Sequence, residues 1–139
     1  MRRVGVLLLL FFFSYDSFAC RELQLSESSW AEKSNSVYVV RVVGISAPNL
    51  INAPYSTDVI RDALVTDRFD KIVSLVVYET LKGSDKKLME VTINWCGGGE
   101  VKLGFVGVLY GSEQKWHIQS GLSTVSAFKE ALTSYSNGR

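Results

Sequence analysis

Few side chains in this 139-residue chain are equipped for chemistry. Cys20 and Cys96 are the only two cysteines, and His117 is the only histidine. Two distant cysteines and one histidine lack the ligand spacing of a metal site. His117 stands between Trp116 and Ile118, with no acid partner in view, and no serine occupies a Gly-X-Ser-X-Gly elbow. Gly97-Gly98-Gly99 lacks the Gly-Lys-Ser/Thr ending of a phosphate loop and opens no helix, so it reads as a flexible connection. No acid–base pair, triad or metal cluster stands out. The expectation is a protein that is not an enzyme and needs no metal or cofactor.

The place of Cys20 says more than its type. Arg2 and Arg3 precede an apolar run, Val4 to Phe13, and Ser17 and Ala19 are small residues at −3 and −1 from Cys20. That pattern is an export signal, residues 1–19, cut after Ala19. The apolar run is shorter than the roughly 20 residues that cross a bilayer. The domain is then residues 20–139, opening on Cys20, and its place is secreted or periplasmic. A cysteine at this position is also where a bacterial lipoprotein is lipidated. Bulky Phe18 and polar Ser17 depart from that motif, and only lipidation would bring the chain to a membrane.

In an exported chain an even cysteine count usually means pairing, and two cysteines allow one intramolecular connection. A Cys20–Cys96 disulfide would close a loop of roughly 77 residues and stabilise by about 4 kcal/mol in the chain-entropy picture. Loss of Arg2, Arg3 and Asp16 from 15 basic and 14 acidic side chains leaves as many of one sign as of the other. That balance argues against nucleic acid and against anionic membrane as partners. The expected state is a monomer.

The elements that must carry these residues are mostly strands. Residues 26–35 predict a short helix capped by Ser26 and anchored by Trp30. Val37 to Ile45 is Val-rich and predicts a strand with a bend at Gly44. Pro48 and Pro54 make 46–57 a loop, and 58–66 fits either a short helix or more loop. Phe69 to Leu81 and Leu88 to Trp95 predict a hairpin turning at Lys82-Gly83-Ser84-Asp85, with that charged tip solvated. Val101 to Tyr110, interrupted by Gly104 and Gly107, and Lys115 to Gln119 complete five strands, joined by a turn at 111–113. Ser123 caps a last helix with Val125, Phe128, Leu132 and Tyr135 on one face. The class is mainly β: a five-stranded antiparallel barrel with a C-terminal helix and a short N-terminal helix. A two-layer α+β sandwich is the alternative. Trp30, Trp95 and Trp116 either line a cleft for a glycan or peptide or fill the core; filling the core is the expectation.

The order of features resembles the bacterial tissue inhibitor of metalloproteinases (TIMP)-like, or netrin-like, modules. Cys20 opens the mature chain, the first strand ends in Arg41-Val42-Val43-Gly44, and the second ends in Val77-Tyr78-Glu79-Thr80-Leu81-Lys82-Gly83. Cys96-Gly97 follows, and then Gly104 to Tyr110 as Gly-Phe-Val-Gly-Val-Leu-Tyr. The resemblance spans about residues 20–122. It implies an OB-fold barrel, a Cys20–Cys96 disulfide and a protein partner, secreted or periplasmic, such as a metalloprotease. It also implies an inhibitory wedge: the Cys20 α-amine and carbonyl on a catalytic zinc, with Arg21 entering the specificity pocket. Two departures stand against inhibition. Arg21 replaces the small or hydroxyl side chain of the animal inhibitors, and no second cysteine follows Cys20 closely. The reading is an exported protein-interaction module stapled by one disulfide, with metalloprotease inhibition as the alternative.

Overall fold

The computed structural model describes residues 25–48, 70–94 and 97–137. The expected 46–57 loop beyond Pro48, the ambiguous 58–66 segment, Trp95 and both cysteines lie outside them. Within them the chain runs α1 (Glu27–Lys33), β1 (Ser36–Ser46), β2 (Lys71–Lys82), β3 (Leu88–Ile93), β4 (Val106–Ser112), β5 (Lys115–Ser120) and α2 (Leu122–Asn137). The strands close a barrel in the order β1-β2-β3-β5-β4, with β4 returning to β1, an OB-fold-like architecture. The antiparallel expectation needs one correction: β3 and β5 are parallel, and they meet at a single pair, Ile93 with Trp116. Each belongs to a different hairpin, and closing the barrel brings two strands of the same direction side by side.

β1 explains its own composition. Tyr38, Val40 and Val42 point into the barrel, while Val37 and Val39 point outward beneath the helices. Burial on both faces produces a nearly continuous apolar run in place of strict alternation. β1 must pair with β2 on one side and β4 on the other, and its register with β2 shifts three times, once between Val42 and Gly44. Such bulges sharpen the twist that lets one strand serve both halves of a barrel.

Two apolar cores result. The interior holds Tyr38, Leu75, Ile93 and Leu109 among others, and a second layer outside the wall joins α1 and α2 to β1 and β4 through Ala31, Val108, Val125 and Phe128. Trp30 is half-buried at the edge of that layer, and Ala31 rather than Trp30 is the buried residue of α1.

Ser26 caps α1 as expected, accepting the Ser29 N–H. The far end of α1 is capped from a distance: the Lys82 ammonium donates to the Ala31 and Glu32 carbonyls, both at 3.0 Å. Helix C-terminal carbonyls lack partners and carry partial negative charge, so a cation there serves both needs. Lys82 is thus more than part of a solvated turn. Replacing it by methionine keeps the stem and removes both bonds. Lys82→Met is expected to lower stability by about 1–2 kcal/mol in urea unfolding and to speed amide exchange in α1 before the barrel.

β4 begins at Val106, five residues after the expected start at Val101, because Gly104 turns the chain at φ 80°. The 101–105 segment still closes the barrel end: Val101 is buried, Gly104 donates to Val42 O, and Val42 donates to Phe105 O. The turn after β4 also shifts, since Ser112 completes the strand. α2 starts at Leu122, ahead of the Ser123 cap expected from sequence. Gly121 takes that place, with its carbonyl accepting the Val125 N–H. Val125 and Phe128 are buried and Leu132 partly so, but Tyr135 is 42% exposed.

Candidate functional site

Among the described residues, the barrel wall is incomplete between β3 and β5. β2 and β3 are in a simple register in which Val77 N–H donates to Lys87 O at 2.9 Å. Antiparallel hydrogen bonds fall on every second residue. Lys87, Met89, Val91 and Ile93 therefore turn their main-chain groups to β2, and Leu88, Glu90 and Thr92 turn theirs away. Among the described residues, Leu88 and Glu90 face no other strand. β5 reaches β3 only at Ile93 and Trp116, and beyond that pair the two hairpins splay apart.

The gap is a slot of about 360 Å³, within the range of ligand-binding hollows. Leu88 to Val91 form one side, and Glu113 and Trp116 the other. Tyr38 lies in it, tilted against Trp116 at 6.2 Å between ring centres. The Tyr38 hydroxyl donates to Ser84 O at 3.1 Å, which ties β1 to the β2–β3 turn. Lys86 sits at that turn and Glu90 and Glu113 at the flanks, so carboxylates outnumber the ammonium. Trp116 therefore both fills the core, as expected, and walls a hollow, the alternative that the sequence left beside it.

A second, shallower hollow of about 280 Å³ lies under α1, lined by Trp30, Ser34, Lys115 and His117 among others. Its floor is an aromatic stack. His117 lies nearly parallel to Tyr110 at 5.5 Å and tilted to Trp30 at 4.8 Å. His117 is buried, and its Nδ1 is 2.7 Å from Gly97 O. A carbonyl can only accept, so Nδ1 carries the proton. The glycine segment after Cys96 is accordingly no flexible connection. His117 holds Gly97, Ile118 N–H donates to Gly98 O at 2.8 Å, and Gly98 N–H donates to Asn94 O. The histidine works as a clamp. His117→Phe preserves the ring packing and orphans the Gly97 carbonyl, and is expected to cost about 1–2 kcal/mol in denaturant unfolding, with faster exchange at Ile118 N–H.

No described carboxylate is arranged for acid–base work. Exposed Glu100 pairs with Lys102, hydrogen-bonded at 2.6 Å, which holds the carboxyl below its usual range, and Lys71 adds to the effect. Its small stabilising contribution is present above the ordinary carboxylate pKa and fades as pH falls through the lowered value. Among the described residues no three His, Cys, Asp or Glu side chains come close enough to hold a metal ion. Comparison with known protein families, curated proteins and solved structures finds no match.

Cys20, Arg21 and Cys96, the residues of the expected disulfide and inhibitory wedge, lie outside the described residues. Sequence reading did not single out Tyr38, Leu88 or Glu90. The available sign was in Leu88 to Ile93, an alternating strand whose outward residues Leu88, Glu90 and Thr92 are one apolar, one acidic and one polar. That pattern marks a surface without showing that its edge is open.

Proposed function

We propose that this chain is an exported, non-enzymatic protein-interaction module, stapled by a Cys20–Cys96 disulfide, that receives a partner in the slot between β3 and β5. One observation carries it: at Leu88 and Glu90 the barrel presents main-chain groups, beside the Tyr38–Trp116 pair, to a hollow with no described strand opposite. Aromatic side chains held in place beside unshared strand backbone combine apolar contact area with hydrogen bonds, the two ingredients of a protein-binding hot spot. The balanced charge of residues 20–139 fits a protein partner better than a polyanion.

The test is selection of peptides from a random displayed library against the mature chain. Binders should shift the NMR signals of Leu88 to Val91 and the Trp116 indole, and Leu88→Asp should weaken them. A library that yields no binder, or binders indifferent to Leu88→Asp with unshifted slot signals, would remove the assignment. Intact mass before and after reduction tests the staple, which predicts a start at Cys20 and a gain of two hydrogens.

A further inference from the structure

We infer that the slot takes its partner as an added β-strand: an extended, basic segment of another protein, apolar at every second residue, hydrogen-bonded to the outer edge of β3. This rests on the interaction-module reading and specifies the chemistry of the partner.

The edge comes first. Register leaves the N–H and C=O of Leu88 and Glu90 pointing away from β2, and no described backbone group pairs with them. The opposite wall cannot supply the missing strand. β5 is occupied by β4, the Ile118 N–H is taken by Gly98 O, and the chain turns away at Glu113 and Gln114. Leu88 to Val91 makes an edge about 10 Å long at about 3.3 Å per step. An unshared edge of this kind templates pairing with another chain.

Side-chain direction sets the apolar half of the pattern. Val91 is buried and Met89 packs on the barrel core, so inward positions of β3 are apolar. An added strand shares the pleat, and its inward residues meet Met89, Tyr38 and Trp116. Outward residues lie beside Leu88, which is 72% exposed, and Glu90. Glu90 and Glu113 outweigh Lys86 there, which favours lysine or arginine at those positions. The same charge disfavours a second copy, because self-pairing centred on the edge sets Glu90 opposite Glu90.

The test uses the full mature chain and three synthetic acetylated, amidated peptides. The first is Thr-Val-Lys-Val-Lys-Val-Thr, the second has glutamate for both lysines, and the third has proline for the central valine. NMR titration with amide exchange is the readout. The lysine peptide is expected to bind, to slow exchange at Leu88 and Glu90 by about tenfold or more, and to bind about tenfold more weakly to Glu90→Lys. The glutamate peptide should gain on that variant, and the proline peptide should fail on both. Circular dichroism checks that Glu90→Lys is folded. Strand addition is overturned if the lysine peptide does not bind. It also falls if the peptide binds without slowing those amides, if the proline peptide binds equally, or if the amides are already protected by self-association seen in sedimentation. Library binders mapping to the slot under any of these outcomes would leave the module reading standing; absence of every binder would remove both.

Discussion

Gly99→Ala is expected to remove about 4 kcal/mol of stability, enough to unfold a large fraction of a marginal domain whose total is about 5–15 kcal/mol. Gly99 sits at φ +94°, and a Cβ there would lie 2.0 Å from the Ile118 carbonyl oxygen. The left-handed backbone alone costs an alanine about 1–2 kcal/mol. The collision costs more, since Ile118 O is backbone in a paired strand and cannot swing aside. Relief requires lifting the glycine segment off β5, which breaks the Ile118 N–H to Gly98 O bond and strains the Gly97 contact with His117. Gly104→Ala is the control. Gly104 has a similar φ of +80° but nothing within 4 Å of a Cβ, so only the backbone term of about 1–2 kcal/mol applies. Urea unfolding of both variants by circular dichroism separates the terms. Equal losses would mean that the glycine segment is not clamped to the barrel.

Phe128→Ala is expected to cost about 3–5 kcal/mol, the range for truncating a fully buried aromatic. Phe128 has no exposed surface, and its ring lies 5.0 Å from that of Tyr110. It sits where α2 meets the outer face of β1 and β4, among Val37, Val39 and Val108. The cavity cannot collapse readily, because two of its walls are strands held from both sides. Leu122→Ala on the same helix removes an exposed side chain and should stay within about 0.5 kcal/mol. Calorimetry of the pair checks the layer. A small loss at Phe128 would mean that α2 contributes little to the folded barrel.

Local signals carried well wherever the deciding interaction was local. Ser26 caps α1 because its hydroxyl reaches an N–H three residues on, and that spacing is visible in the chain. The valines of β1, the alternation in β3 and the Val125–Phe128–Leu132 spacing all report faces that the fold then buries. They fail where extent depends on a neighbour. Tyr135 continues the helical spacing but is exposed, since 16 residues make a helix about 24 Å long and it outruns the wall it covers. The predicted strand from Val101 fails for a different reason. Val101 is apolar because it is buried in the barrel core and Phe105 because it packs against that core, a burial that period-2 reading cannot tell from a strand, while Leu103 between them is 70% exposed.

The candidate site was less legible still. Composition and the lack of catalytic spacing pointed to a mainly β domain without a visible active centre, and residue order alone placed the five strands and both helices. Nothing in the chain shows that Ile93 pairs with Trp116, or that the pairing stops there. That contact joins residues from separate hairpins, and its geometry follows from the twist accumulated around the closed sheet. The open edge at Leu88 and Glu90, the Tyr38–Trp116 wall and the His117 clamp on Gly97 are consequences of that closure. Sequence by itself determined which segments become strands and helices, because turn chemistry and side-chain periodicity act over a few residues. Only the tertiary structure decided that β3 and β5 meet at a single pair, because that depends on where two distant hairpins part.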